Sequence, residues 1–214
     1  MSSDTIILIG NGPSLNQVTD EFLDTYPTFG CNWIHKRFHP TYYSVFGYNL
    51  LNSPEKIEAH REVIKYAETA YVSGANVTDY LYPNVSALFP CNDYTYVPGT
   101  IGFSEDPGLG VFSCQTVLYI NLQIIYYLGF QRVLIVGLDG DYGSPIDHAK
   151  HFYEDDELTK FVEGWESYRQ REFRQRIADL AFAEARKRFE ADGREIINLT
   201  PGSKVEAFLR VFDA

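Results

Sequence analysis

Cysteine, positive charge and long apolar runs are all scarce in this chain of 214 residues. Its three cysteines, Cys31, Cys91 and Cys114, are odd in number and widely spaced. This pattern fits neither a disulfide framework nor a cysteine-based zinc site. It is typical of a reducing compartment, so we expect a cytoplasmic protein, attached at most peripherally to the inner membrane.

Basic residues are outnumbered, with 18 Lys and Arg against 29 Asp and Glu and a formal net charge of −11. Nucleic-acid binding needs a basic surface, so we expect no nucleic-acid partner. The longest apolar stretch, 117–128, is interrupted by Asn121 and Gln123 and is too short to span a bilayer. We therefore expect no transmembrane segment, and no signal-peptide pattern is visible at the N-terminus.

Hydrophobic residues make up 45% of the chain, which is enough to form a core. Strand-like and helix-like segments alternate along it. The predicted strands are 5–9, 28–34, 42–48, 70–73, 132–138 and 195–199. The predicted helices are 16–24, 54–68 and 116–128, then a long helix or helix pair over 157–191. A short C-terminal helix is predicted after 201–203, with Val205, Phe208 and Leu209 facing inward. This alternation predicts an α/β fold: a single Rossmann-like domain over 1–214, with a mainly parallel sheet and helices on both faces.

The segment 74–110 departs from this alternation. Pro83, Pro90, Pro98 and Pro107 would interrupt any long helix or strand there. Long irregular segments in compact domains are often functional. We therefore predict an irregular, lid-like insertion.

The most informative stretch is 6–15, which reads I-I-L-I-G-N-G-P-S-L. An apolar strand that runs into a glycine turn and a helix start is typical of a phosphate site at the end of a parallel strand. Leu15 stands where the dinucleotide fingerprint has its third glycine, and no Gly-Lys-Ser/Thr follows, so the turn matches neither that fingerprint nor a Walker A loop. We predict nucleotide binding by Gly10, Asn11, Gly12 and Ser14; a plain architectural turn is the alternative.

Other polar residues follow the remaining predicted strands or begin a helix. Because ligands of parallel sheets bind outside the carboxyl ends of the strands, these residues are candidates for the same site. They are Asn32, Asn49, Ser113, Thr116, Asp139, Asp141, Tyr142, His148 and His151.

Asp139-Gly140-Asp141 directly follows the strand 132–138. Such paired carboxylates can hold Mg²⁺ or Mn²⁺ against a diphosphate, and a loop-opening aspartate with a solvated neighbour is the alternative. His148 and His151 are candidates for a general base that deprotonates an acceptor hydroxyl. Metal binding or capping of a turn remains open for them.

The turn G-N-G-P-S-L, the pair C-N after the second strand, and the later runs L-G-F and V-L-I-V-G-L-D resemble the bacterial sialyltransferases of glycosyltransferase family 42. They also resemble the related domain of motility-associated flagellin glycosyltransferases and of 6-hydroxymethylpterin diphosphokinase-like proteins. The resemblance covers most of the chain but leaves 74–110 unmatched.

The resemblance implies that Asn11, Gly12, Ser14 and Asn32 bind the nucleotide of a CMP-sugar, with Asn49 and the hydroxyls of Ser113 and Thr116 nearby. Tyr142 and Tyr153 would hold the leaving phosphate. The histidine that these sialyltransferases use as base has no counterpart around 168–173, so His148 or His151 would take its place, with Asp139 as a further catalytic candidate. Since those enzymes work without metal, we expect no required cofactor, although Mg²⁺ or Mn²⁺ at Asp139 and Asp141 stays an alternative.

The expected function is thus a glycosyltransferase. It would move an acidic sugar, such as a sialic or related nonulosonic acid, from a CMP-activated donor to a glycan hydroxyl in surface polysaccharide or lipooligosaccharide synthesis. The partners would be the nucleotide-sugar and the glycan acceptor, and a homo-oligomer is left open. The alternatives are a Mg²⁺-dependent, diphosphokinase-like phosphoryl transferase and a non-catalytic nucleotide-binding module.

Overall fold

The structure is a computed structural model that describes residues 4–46, 54–72, 85–87, 101–141, 151–153 and 168–211. The described residues form an eight-stranded sheet in the order β5-β4-β3-β2-β1-β6-β7-β8, and every neighbouring pair is parallel. The strands are β1 Thr5–Ile9, β2 Thr28–Cys31, β3 Tyr42–Val45, β4 Thr69–Val72, β5 Val85–Ala87, β6 Arg132–Val136, β7 Glu195–Asn198 and β8 Leu209–Arg210. The expected α/β fold is confirmed.

Helices cover both faces of this sheet. They are α1 Asp20–Leu23, α2 Pro54–Tyr66, α3 Val117–Tyr127 and α4 Tyr168–Ala191, with 3₁₀ helices at Pro13–Gln17, Asn32–Lys36 and Pro107–Leu109. Alternating residues of β1 serve the two faces. Ile6 and Leu8 pack in the core under α3 and α4, whereas Ile7 and Ile9 pack in the core on the α2 side.

The helix predicted over 16–24 is wrong as a single element. The chain forms the 3₁₀ helix Pro13–Gln17, turns extended at Val18, and restarts as α1. Thr19 causes the break, because its hydroxyl accepts a hydrogen bond from the Phe22 amide and so caps a new helix. The second predicted strand is also shorter than 28–34, since Asn32 leaves the extended region with φ of 49°.

The predicted C-terminal helix is wrong too. The chain after 201–203 runs as a loop into β8. Side-chain and backbone hydrogen bonds hold it there: Ser203 Oγ donates to the Leu138 carbonyl at 2.6 Å, and the Lys204 amide donates to the Asp139 carbonyl at 2.8 Å. Val205 and Phe208 are buried as expected, but Leu209 is 59% exposed.

The segment 74–110 is not irregular throughout. Its residues Val85–Ala87 form β5, which pairs with β4 at the end of the sheet, and Pro107–Leu109 form a 3₁₀ turn. A lid role for this segment stays a prediction, and 74–84 and 88–100 lie outside the described residues. Among the described helices, none is long and apolar enough to cross a membrane.

Candidate functional site at the sheet switch point

The strand order reverses between β1 and β6, which makes their carboxyl ends the switch point where ligands of such sheets bind. The two turns that follow are tied together. The amide of Gly10 donates to the Val136 carbonyl at 2.8 Å, and the amide of Gly12 donates to the Gly137 carbonyl at 2.9 Å. A Cβ at Gly10 would lie 2.4 Å from the Gly137 oxygen, so only glycine permits this close approach.

Asp139 joins the β6 end to the Gly-Asn-Gly turn. Its carboxylate accepts hydrogen bonds from Ser14 Oγ at 2.7 Å and from the Ser14 amide at 3.2 Å. A Cβ at Gly12 would lie 1.8 Å from Asp139 Oδ2, so this glycine makes room for the carboxylate. The anion-binding position at the start of the 3₁₀ helix Pro13–Gln17 is therefore filled by the protein's own side chain, and the phosphate expected there needs another place.

Asn11 contacts the end of β2 and the segment 151–153. Its Nδ2 donates to the Cys31 carbonyl at 3.1 Å, and its own carbonyl accepts a hydrogen bond from the Phe152 amide at 2.9 Å. Its Oδ1 is buried and has no hydrogen-bond partner among the described residues. An unsatisfied buried acceptor at a sheet switch point is a feature that a bound ligand could complete.

Asn32 closes β2 in a left-handed conformation, with φ of 49°. Its Oδ1 accepts a hydrogen bond from the Phe46 amide at 3.1 Å, and its carbonyl accepts one from Tyr43 Oη at 2.6 Å. These contacts fix the ends of β2 and β3 to each other. Asn32 thus lies at the carboxyl ends of the strands, as predicted, whereas Asn49 lies outside the described residues.

The turn that precedes α3 is conformationally strained. Cys114 and Gln115 have φ values of 41° and 68°. Residues other than glycine adopt this left-handed backbone region only at a cost in free energy. Thr116 then begins the helix without capping it through its side chain. Leu118, in the first turn of α3, would lie 3.2 Å from a Cβ at Gly10, so the start of α3 abuts the Gly-Asn-Gly turn.

The segment 151–153 lies over the same turn from the other face. Phe152 packs with the core on the α2 side. The rings of His151 and Tyr153 stack 4.9 Å apart and nearly parallel, and Lys36 Nζ lies 4.6 Å from the centre of the Tyr153 ring. The structure thus brings His151 and Tyr153 to the switch point, while Tyr142 and His148 lie outside the described residues.

A histidine pair beside this site was missed by the sequence reasoning. Tyr43 Oη lies 2.6 Å from His60 Nδ1, and the ring of His60 lies 5.6 Å from that of His35 and 4.9 Å from that of Trp33. Burial lowers the pKa of His35. His60 is in the middle of a helix of ordinary composition, so no local motif marks it; its proximity to β3 is a tertiary property.

The two aspartates proposed as metal ligands both have protein partners. Asp139 is bonded to Ser14, and Asp141 Oδ2 lies 2.8 Å from Lys204 Nζ. Within the described ranges no group of three or more His, Cys, Asp or Glu side chains could hold a metal ion. A catalytic role for Asp139 stays a prediction, and the observed contacts of its carboxylate are structural.

Comparison with protein-family models found no match to this chain, and a search of curated proteins found none either. The functional interpretation therefore rests on the residues at the switch point.

Proposed function

We propose that the chain is a glycosyltransferase that uses a nucleotide-activated sugar, with a CMP-linked acidic sugar as donor and a glycan hydroxyl as acceptor. One observation carries the proposal. The start of α3 and the His151–Tyr153 segment meet the same Gly-Asn-Gly turn from opposite faces of the sheet, through Leu118 and through the Asn11 carbonyl. The candidate phosphate site at the start of α3 and the candidate base would then both lie next to this turn.

On the donor side, the first amides of α3 and the hydroxyls of Ser113 and Thr116 are suited to the phosphate of the donor. This location replaces the start of the 3₁₀ helix, whose anion position Asp139 fills. Asn11 Oδ1, which has no hydrogen-bond partner among the described residues, would accept a hydrogen bond from the rest of the nucleotide, and Asn32 would lie beside it. Of the two tyrosines predicted to hold the leaving phosphate, Tyr153 lies within the described residues and would take this role.

On the acceptor side, His151 would act as general base. The acceptor oxygen forms a bond to the anomeric carbon, and the bond from that carbon to the CMP phosphate oxygen breaks. The acceptor proton passes to the imidazole, and CMP leaves with the electron pair. Orientation of the two substrates at the switch point would supply much of the rate.

The direct test is a thermal-shift series with CMP, CDP, UDP, GDP and ATP, each with and without Mg²⁺, followed by a transfer assay with the stabilising nucleotide's sugar. Stabilisation by CMP without metal supports the proposal, and stabilisation by none of them overturns it. His151→Gln should lower kcat about a hundredfold or more while leaving the CMP shift intact. The exposed His39, changed to Gln, is the matched control.

A diphosphokinase-like phosphoryl transferase is the second candidate. It would need Asp139 and Asp141 as Mg²⁺ ligands, yet both carboxylates have protein partners, which favours the metal-free transferase. Activity that survives EDTA would exclude it. A non-catalytic nucleotide-binding module would bind nucleotide without turnover, and the histidine variants would then change nothing. We further propose a cytoplasmic location, peripheral to the inner membrane where a glycan acceptor would be assembled.

A further inference from the structure

A pocket of about 440 Å³ lies beside the candidate base, on the α2 side of the switch point. It is lined by Asn16, Asp20, Lys36, Arg37, Phe152 and Tyr153. Its volume is within the range of small-molecule sites. Apart from Tyr153, none of these residues belongs to the nucleotide-binding set discussed above.

Lys36 is the cation that this pocket offers to a ligand. Its ammonium is held between two rings, 5.0 Å from the centre of Trp33 and 4.6 Å from the centre of Tyr153. In the part of the chain that the structure describes, no carboxylate forms an ion pair with it. The rings fix the position of the charge without neutralising it.

Arg37 and Asp20, the other charged residues among the described lining residues, cancel each other. Arg37 Nη2 lies 3.1 Å from Asp20 Oδ1, and Arg37 Nη1 donates to the Leu15 carbonyl at 2.9 Å, so its guanidinium is committed to the protein. Among the described lining residues the net charge is therefore +1, that of Lys36, in a chain of net charge −11. An oriented, unneutralised cation in a pocket of an acidic protein favours an anionic ligand.

The remaining lining residues favour a polar ring compound. Asn16 and Asp20 present exposed polar groups that can hydrogen-bond hydroxyls, and Phe152 supplies an apolar wall. Tyr153, whose ring stacks on His151, connects the pocket to the candidate base. The pocket and the candidate base thus share the Tyr153 side chain, and His151 itself is not among the described lining residues.

We propose that this pocket binds a sugar that carries a carboxylate or a phosphate, with the anionic group on the Lys36 ammonium. The assignment of this pocket to the acceptor of the transfer reaction rests on the proposed function. The acceptor would then be an acidic glycan unit rather than a neutral one.

Three sugars with the same ring test this inference: glucuronic acid, glucose 6-phosphate and glucose, titrated into the full chain by calorimetry. We expect saturable binding of at least one of the two anionic sugars and much weaker binding of glucose. Lys36→Met should raise the Kd of the anionic sugar about tenfold or more, because a charged hydrogen bond is lost. Lys36→Arg should retain part of the affinity. Lys187→Met removes one exposed charge on α4 and is the matched control.

The inference is overturned if neither anionic sugar binds, if glucose binds as tightly, or if Lys36→Met and Lys187→Met behave alike. The CMP thermal shift of the same proteins separates the two proposals. A CMP thermal shift without anionic-sugar binding would refute the assignment of the pocket as a sugar site and leave the transferase proposal standing. Lys36-dependent sugar binding without any nucleotide shift would support the pocket and refute the nucleotide-dependent reaction.

Discussion

Ser14 and Asp139 are separated by 125 positions in the chain, yet the Ser14 hydroxyl and amide both donate to the Asp139 carboxylate, at 2.7 and 3.2 Å. Ser14 is 5% exposed, so water cannot readily replace these bonds. The pair holds the turn after β1 against the turn after β6. Two residues that the sequence assigns to phosphate and metal binding thus satisfy each other.

We expect Asp139→Ala to lower the free energy of unfolding by about 1–3 kcal/mol, since a buried amide and hydroxyl lose a charged acceptor. Ser14→Ala should have a smaller effect, and the double variant should cost less than the sum of the two. Urea unfolding of the four proteins measures this coupling. Strictly additive effects would show that the contact contributes nothing specific.

The glycines that face each other at the switch point have a different role. Gly10→Ala places a Cβ 2.4 Å from the Gly137 carbonyl oxygen, so the β1 and β6 turns must separate. We expect the free energy of unfolding to fall by about 1–3 kcal/mol or more, because overpacking usually destabilises a protein by this amount. Gly193→Ala is the control, because its φ is 72° but a Cβ there would meet nothing within 4 Å. Gly193→Ala should cost only about 1–2 kcal/mol, from the left-handed backbone alone. Equal stability of Gly10→Ala and the parent protein, measured by urea unfolding, would contradict this account.

Much of the fold could be predicted because its signals are local. The apolar runs at Thr5–Ile9 and Arg132–Val136 are strands with the predicted bounds or nearly so, because strands buried on both faces of a parallel sheet are continuously apolar. The break at Val18 and the loop at Ser203 were missed for a physical reason. At Val18, the Thr19 hydroxyl accepts a hydrogen bond from the Phe22 amide and so starts a new helix. After 201–203, Ser203 Oγ and the Lys204 amide donate to carbonyls of the distant β6 turn, which keeps the chain out of a helix.

The site was harder to predict than the fold. Sequence reasoning placed Gly10, Asn11 and Asn32 together at the carboxyl ends of the strands, because neighbouring parallel strands all end on the same side of the sheet. It could not show that Asp139 fills the anion position or that Lys36 lies between two rings. The contacts of Asp139 with Ser14 and of Lys36 with Tyr153 join residues that are far apart in sequence, so composition and spacing contain no information about them.

Cys31 provides a chemical check on the buried end of β2. Burial raises the pKa of its thiol to about 12, so its thiolate fraction near neutral pH falls about a thousandfold below that of an ordinary cysteine. We expect iodoacetamide to leave Cys31 unmodified in the native protein and to alkylate it after urea unfolding. Peptide mass spectrometry reads both states. Rapid native alkylation of Cys31 would show that β2 opens at its carboxyl end.

His35 makes the stability depend on pH. Burial lowers its pKa in the folded state below its ordinary value of 6.5, and the nearby charges of Lys36 and His39 act in the same direction. The unfolded chain then binds more protons in the window between the folded-state pKa and 6.5, so stability is full above that window and falls as the pH drops through it. Urea midpoints from about pH 7.5 to about pH 5 measure the loss.

His35→Gln should remove part of this acid sensitivity, whereas His39→Gln, at an exposed position, should preserve most of it. A pH profile of His35→Gln identical to that of the parent protein would assign the acid loss to other groups.

Gln115 tests whether the strained turn before α3 is retained for function. Its φ is 68° and its side chain is exposed, so no packing explains the conformation. Gln115→Gly should be about 1 kcal/mol more stable than Gln115→Ala, because glycine enters the left-handed region without a Cβ penalty. If this turn is preorganised for the donor phosphate, the glycine variant should also show a smaller CMP thermal shift than the alanine variant, since it must give up more backbone freedom on binding. Equal CMP shifts for the two variants would mean that the strain serves only to direct the chain into α3.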